Sequence, residues 1–314
     1  MESPRARRRR RARRRRSFVC TALAAAVVAG GTATATVYLR ERAHAEAGAV
    51  SSGSSVTPSA SASSSQEASV EPAAEPPVDR SALLKRAMAS VAVEDTADVA
   101  VAVLSMDSGE SAAYGDGSFD TASIVKVDIL AALLLQAQDA GRHLTAQEKA
   151  YATAMIENSD NPSASALWTA IGRADGLDSA NRRLGLTDTV GGDGTLWGLT
   201  QTTAPDQLTL LRHVFGDDSQ LSEASRTYLR VLMGDIAEDQ RWGVSAAADG
   251  SASALKNGWL ARSTTGLWDV NSIGRVTVGG RDYLVAALSD GNSTKEKGIS
   301  VVEAASRAAV AVFG

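Results

Sequence analysis

The chain has 314 residues and a formal net charge of −4, but the charge is unevenly placed. Residues 1–16 hold ten Arg and one Glu, a net of +9, so the rest carries −13; residues 17–78 add two Arg and five Glu, leaving −10 from Asp79 onward. A basic leader on an acidic body argues against a nucleic-acid binder, and Cys20 as the single cysteine excludes a disulfide framework or a cysteine metal site. Histidine occurs only at 44, 143 and 213, too sparse for zinc or Ser-His-Asp chemistry, and we expect no metal and no cofactor.

Ser17–Leu39 is uncharged and rich in Ala, Val, Thr and Gly. Behind a run of Arg, it reads as a signal peptide or an uncleaved signal-anchor over 1–45, with Ala43-His44-Ala45 as small residues for a peptidase. Arg15–Val19 also resembles a twin-arginine signal. The body is therefore expected outside the cytoplasm, secreted or held at the cell membrane by this segment. Residues 46–80 are Ser, Ala, Pro and Glu with few large apolar groups, the composition of a disordered tether. A single domain is expected over 81–314, as a monomer.

Within it, Val99–Met106 is a Val-rich strand closed by Asp107-Ser108-Gly109, with Ser111–Tyr114 pairing back. Ser123–Ala140 has helical spacing and is apolar enough to be a central buried helix. Thr145–Asn158 is a second helix, with Thr145 and Glu148 in the capping-box relation. Helical patterns recur at 163–171, 175–184, 205–215 and 222–236. Strands return at 254–261, 270–278 and 281–288, and a helix over 299–313 ends the chain. This order predicts an α+β fold, an antiparallel sheet flanked by helices.

Three short motifs stand in the same order. Ser123 and Lys126 are one turn apart on the apolar helix, so the amine lies on the face of the hydroxyl. Burial favours a neutral lysine, and a neutral amine beside a hydroxyl is a general base beside a nucleophile. A helix N-terminus at Ser123 also offers free N–H groups to a developing oxyanion. With 35 Ser and six Lys, about 0.7 such pairs arise by composition, so this motif alone is weak. Ser159-Asp160-Asn161 is sharper, expected about 0.05 times, although Ser, Asp and Asn before Pro162 also make a helix stop. Lys256-Asn257-Gly258 interrupts a strand-like run.

Together these residues resemble the active-site serine superfamily of class A β-lactamases and penicillin-binding proteins, most closely at Phe119–Leu130, Ile156–Leu167 and Leu255–Leu260. The resemblance implies a β-lactamase or DD-peptidase fold with a trimmed helical lobe, since only 36 residues separate Ser123 from Ser159. It implies Ser123 as nucleophile, Lys126 as its base and Ser159 as proton shuttle. Asn161, Lys256, Asn257, Gly258 and Trp259 would bind substrate, Lys256 lending positive potential for a carboxylate and the Ser123 and Trp259 N–H groups forming the oxyanion hole. The substrate would be a β-lactam or a peptidoglycan peptide.

Two departures bear on function. Asn257 stands where the family has a Thr or Ser hydroxyl. The family's loop Glu that activates the hydrolytic water is missing, because no Glu lies between Asn161 and Glu223 and only Asp188 and Asp193 are near the expected loop. The expectation is a serine hydrolase that is acylated by β-lactams and deacylates poorly. The alternatives are a D-alanyl-D-alanine peptidase or penicillin-binding protein, and a non-catalytic cell-wall-binding module.

Overall fold

A computed structural model describes residues 78–250 and 253–314. The leader over 1–45 and nearly all of the tether over 46–80 lie outside the described residues. Among the described residues, no helix is long and apolar enough to cross a membrane.

The elements run α1 (Arg80–Met88), β1 (Asp98–Ser105), β2 (Ser111–Tyr114), β3 (Phe119–Asp120), α2 (Val125–Asp139), α3 (Ala146–Glu157), α4 (Asn161–Ala170) and α5 (Arg173–Leu184). They continue with β4 (Gln201–Thr202), α6 (Ala204–Phe215), α7 (Glu223–Gly234), β5 (Ala254–Ala261), β6 (Trp268–Val278), β7 (Arg281–Asn292) and α8 (Lys295–Ala311). The five main strands form one antiparallel sheet in the order β2-β1-β7-β6-β5, and β3 pairs with β4 apart from it. The α+β expectation holds, and the strand over 254–261 has the bounds read from the sequence. Sequence reading missed α1 and the two-residue strands β3 and β4, which are too short or too weakly patterned to be seen.

The sheet is buried on both faces. Along β1, Ala100 and Ala102 join the core shared with α2 and α6, while Val101 and Val103 join the core beneath α1 and α8. That is the two-residue period of a strand expressed as two cores. Thr145 caps α3 through a reciprocal capping box with Glu148, as its sequence predicts.

Helix α2 decides the chemistry of its surroundings. Twelve of its 15 residues are buried, Lys126 and Asp128 among them. Each fully buried Leu or Ile there contributes roughly 1.5–3 kcal/mol, enough in sum to hold two ionisable groups out of water. β5, one of the sheet's two edge strands, lies beside the N-terminal end of this helix.

Candidate active site

Ser123 lies in a 3-10 turn, Ala122–Ile124, that leads directly into α2. The approach to it is fixed from three sides. Thr121 N–H donates to Thr200 O (2.9 Å), and the Asn271 amide of β6 donates to the carbonyls of Asp120 (2.9 Å) and Thr121 (3.0 Å). On the third side β5 comes so close that a Cβ on Gly258 would stand 2.6 Å from Ser123 N and 2.8 Å from Ile124 N. The glycine is there because the Ser123 backbone occupies the space of a side chain. Ala122 has φ +47°, a left-handed conformation costing on the order of 1–3 kcal/mol in a non-glycine residue. The surrounding hydrogen bonds hold that strain next to Ser123.

Ser159 is the meeting point of the three motifs. It also has a left-handed backbone, φ +55°. Its hydroxyl oxygen accepts from Lys126 Nζ and from Lys256 Nζ, each at 3.0 Å. Lys126 Nζ further donates to Ser159 O (2.7 Å) and Asn161 Oδ1 (2.8 Å), and Lys256 Nζ donates to Asn257 O (3.0 Å). A hydroxyl accepting from two amines has its own proton left to donate. Asp160 starts α4: it is the N-cap, accepting from Ser163 N at 2.7 Å, which turns Ser159 and Asn161 toward Lys126.

The sequence puts the Lys126 amine in reach of the Ser123 hydroxyl. In the structure the three bonds of the amine go instead to Ser159 and Asn161. The physical reason is the donor count: an ammonium in a dry site needs three acceptors, and this pocket supplies a carbonyl, an amide oxygen and a hydroxyl.

Burial pushes Lys126 down to about 7, against the pull of the Asp160 carboxylate. Lys256 is lowered well below the usual lysine range, first by burial and then by the charge of Lys126. Two ammonium groups on one hydroxyl repel each other, so charging one amine disfavours charging the other.

The remaining predicted residues divide by strand alternation. Lys256 and Gly258 face α2, whereas the side chains of Asn257 and Trp259 lie on the other face of β5. The Asn257 amide donates to Gln240 O (2.6 Å) and Trp242 O (3.1 Å). The donor expected for a substrate carboxylate is thus spent on positioning the 240–242 segment. The Trp259 ring packs against Trp242 at 5.8 Å and beneath Lys295 Nζ at 4.0 Å. Arg275 pairs with Asp282 across the β6–β7 hairpin and lies over Phe215, an ordinary structural arginine.

Sequence reasoning overlooked Asn271, the cap role of Asp160, and Trp197. The Trp197 ring lies 4.9 Å from Lys126 Nζ. No local pattern marks it, because it reaches Lys126 from a loop 71 residues further along the chain. In the same loop Asp188 and Asp193 are both exposed. His213 bonds Leu184 O (2.9 Å), and His143 lines a separate hollow of about 330 Å³ with Leu134, Arg142 and Tyr228.

Solved structures show the same architecture. PBP-A matches with 22% identity and TM-score 0.63, over 74% of this chain and 96% of that one. A single-substitution mutant of PBP-A, solved as an acyl-enzyme complex with penicillin-G, matches with 23% identity, TM-score 0.63 and the same coverage. A class A beta-lactamase from Bacteroides cellulosilyticus DSM 14838 matches with 17% identity and TM-score 0.65, over 76% of this chain and 99% of that one. At these identities the likeness is one of fold. No curated protein matches the chain in sequence. The model of the beta-lactamase enzyme family matches residues 135–313, beginning inside α2 and downstream of Ser123 and Lys126. That span is more than half of the chain, and the protein belongs to the beta-lactamase enzyme family.

Proposed function

We propose that this protein is a serine acyl-transfer enzyme acting outside the cytoplasm on a β-lactam or a related wall-peptide amide, and that its acyl-enzyme is long-lived. One observation carries the reading: both buried lysines converge on the Ser159 hydroxyl beside the strained Ser123 turn.

In its neutral form Lys126 has two N–H groups and a lone pair, so one of its three bonds is released and the lone pair is free for the Ser123 proton. Ser123 Oγ then bonds to the substrate carbonyl carbon while its proton passes to Lys126 Nζ. The ring C–N bond breaks as Ser159 Oγ gives its proton to the leaving nitrogen, and Lys126 returns a proton to Ser159. Backbone N–H groups at Ser123 and on β5 receive the oxyanion. A carboxylate on the substrate favours the charged form of Lys256, and repulsion then drives Lys126 toward the neutral base.

The long-lived acyl-enzyme rests on the loop. It carries no Glu, and its two Asp residues are exposed to solvent. This favours the penicillin-binding reading over efficient turnover. The basic, apolar leader is what supports export and tethering.

The test is intact-mass spectrometry of the purified chain mixed with a penicillin and followed over time, beside Ser123→Ala. A persistent adduct absent from the variant is expected. An adduct that quickly disappears would overturn the long lifetime. No adduct with any of several β-lactams would leave the non-catalytic, wall-binding alternative.

A further inference from the structure

Trp197 belongs to a 3-10 turn, Trp197–Leu199, at the exit of the loop before β4. Thr200 N–H donates to Trp197 O (3.1 Å), and Thr200 O in turn accepts from Thr121 N–H (2.9 Å), the residue two before Ser123. The indole Nε1 donates to Ser165 Oγ on α4 at 3.1 Å. Backbone and side chain therefore both fix the ring, with Lys126 Nζ 4.9 Å from its centroid. With Ser159 and Asn161 taking the amine's hydrogen bonds, the Lys126 side chain is fully buried.

An aromatic face attracts the ammonium and not the neutral amine. We propose that Trp197 is a positioning residue that acts through Lys126, its ring face stabilising the protonated amine and so setting the pH at which Lys126 becomes the base for Ser123. The inference rests on the reading of Lys126 as that base. Other groups act on the same amine. Burial disfavours the charged form and Asp160, from the start of α4, favours it; Lys256, from β5, shares the Ser159 hydroxyl and is itself lowered by the charge of Lys126. Asp128 is two residues along α2, about 200° around the helix, and bonds Gln207 instead. Trp197 supplies a cation-stabilising contact that adds no titrating group.

Truncating Trp197 admits water as well as removing the ring, and the two effects oppose each other at Lys126. The clean probe is biosynthetic replacement of tryptophan by mono-, di- and trifluorotryptophan in the full chain, which weakens the ring face at nearly constant volume. The readout is NMR titration of the lysine side chains, with Lys126 assigned by its loss in Lys126→Arg. The Lys126 midpoint is expected to fall stepwise with fluorination, by about half a pH unit across the series. In Trp197→Phe the midpoint should no longer respond to fluorination. Acylation by a penicillin at pH 6 should rise about two- to three-fold across the series. A midpoint that stays fixed, or that responds equally in Trp197→Phe, overturns the role of Trp197. A midpoint that moves in a chain no β-lactam acylates upholds the Trp197–Lys126 coupling and overturns the catalytic reading instead.

Discussion

Two charged regions flank Ser123, one fully buried and one partly exposed, and they solve the same problem in opposite ways. On one side Lys126 and Lys256 converge on Ser159 and donate to neutral acceptors, and burial drives both amines toward the uncharged state. On the other, at the outer end of β5, Arg262 pairs with Asp120, three residues before Ser123, and reaches Asp269 at 3.6 Å. Gln201 also donates to Asp120. There the countercharge is supplied in full to one carboxylate, while burial raises the second, Asp269, to about 7. In the function proposed above, the first region moves a proton. The second is a strut between β3, β4 and β5 that fixes the chain entering the Ser123 turn. Like charges buried together are driven toward neutrality; opposite charges placed together make a clamp.

Removing the proton carrier should break this contrast most severely. Lys126→Met is expected to slow acylation by roughly 10²–10⁴-fold, with a folded state no less stable, since a desolvated amine is replaced by an apolar chain of similar length. Stopped-flow acylation and thermal unfolding check the two halves of this expectation. Loss of stability in step with activity would mean that the lysine is structural.

Gly258→Ala attacks the junction between the regions. The added methyl meets the Ser123 and Ile124 nitrogens and pushes β5 outward. Acylation should fall by about 10²-fold, the scale of one lost oxyanion donor, while far-UV circular dichroism is unchanged. A variant with full acylation would remove β5 from the oxyanion site.

A third experiment separates carboxyl from amine burial by the sign of its pH dependence. Asp128, buried on α2 on the side of the helix away from Lys126, is raised to about 7 by burial. Between pH 4 and 7 the folded chain then holds a proton that the unfolded chain has lost, so stability falls as pH rises through this window. Lys126 acts above it: from about pH 7 to 10 the unfolded chain holds the extra proton, and stability rises with pH. Asp128→Asn should therefore gain about 2 kcal/mol on wild type between pH 5 and pH 8, measured by urea unfolding. A constant difference across that range would mean that Asp128 does not titrate there.

The smallest effect is expected at the strut. Arg262→Ala removes the cation that pairs with the mostly buried Asp120 and should cost about 1–2 kcal/mol, less than a fully buried pair because Arg262 is partly exposed. A double-mutant cycle with Asp120→Asn should recover most of that loss.

Much of the fold was legible locally. The Val-rich run of β1 and the capping box at Thr145 each carry their signal within a few residues. The motifs Ser123–Lys126, Ser159–Asn161 and Lys256–Gly258 were legible too, because each is a short run of chemically distinctive types. Their partnerships were not. Lys126 bonds Ser159 and Asn161 rather than Ser123, Asn257 turns away from α2 to hold Gln240 and Trp242, and Trp197 arrives over Lys126 from a distant loop.

The sequence by itself determined an antiparallel sheet with helices, a dry α2 carrying a lysine one turn from a serine, and the absence of a loop glutamate. Hydrophobic period and residue type are enough for those, since both act between neighbours in the chain. Only the tertiary structure decided which acceptors the two amines take, which face of β5 each side chain of Lys256-Asn257-Gly258 occupies, and which aromatic ring covers Lys126. Those outcomes depend on how donors are satisfied once water is excluded, and that is settled among groups tens of residues apart.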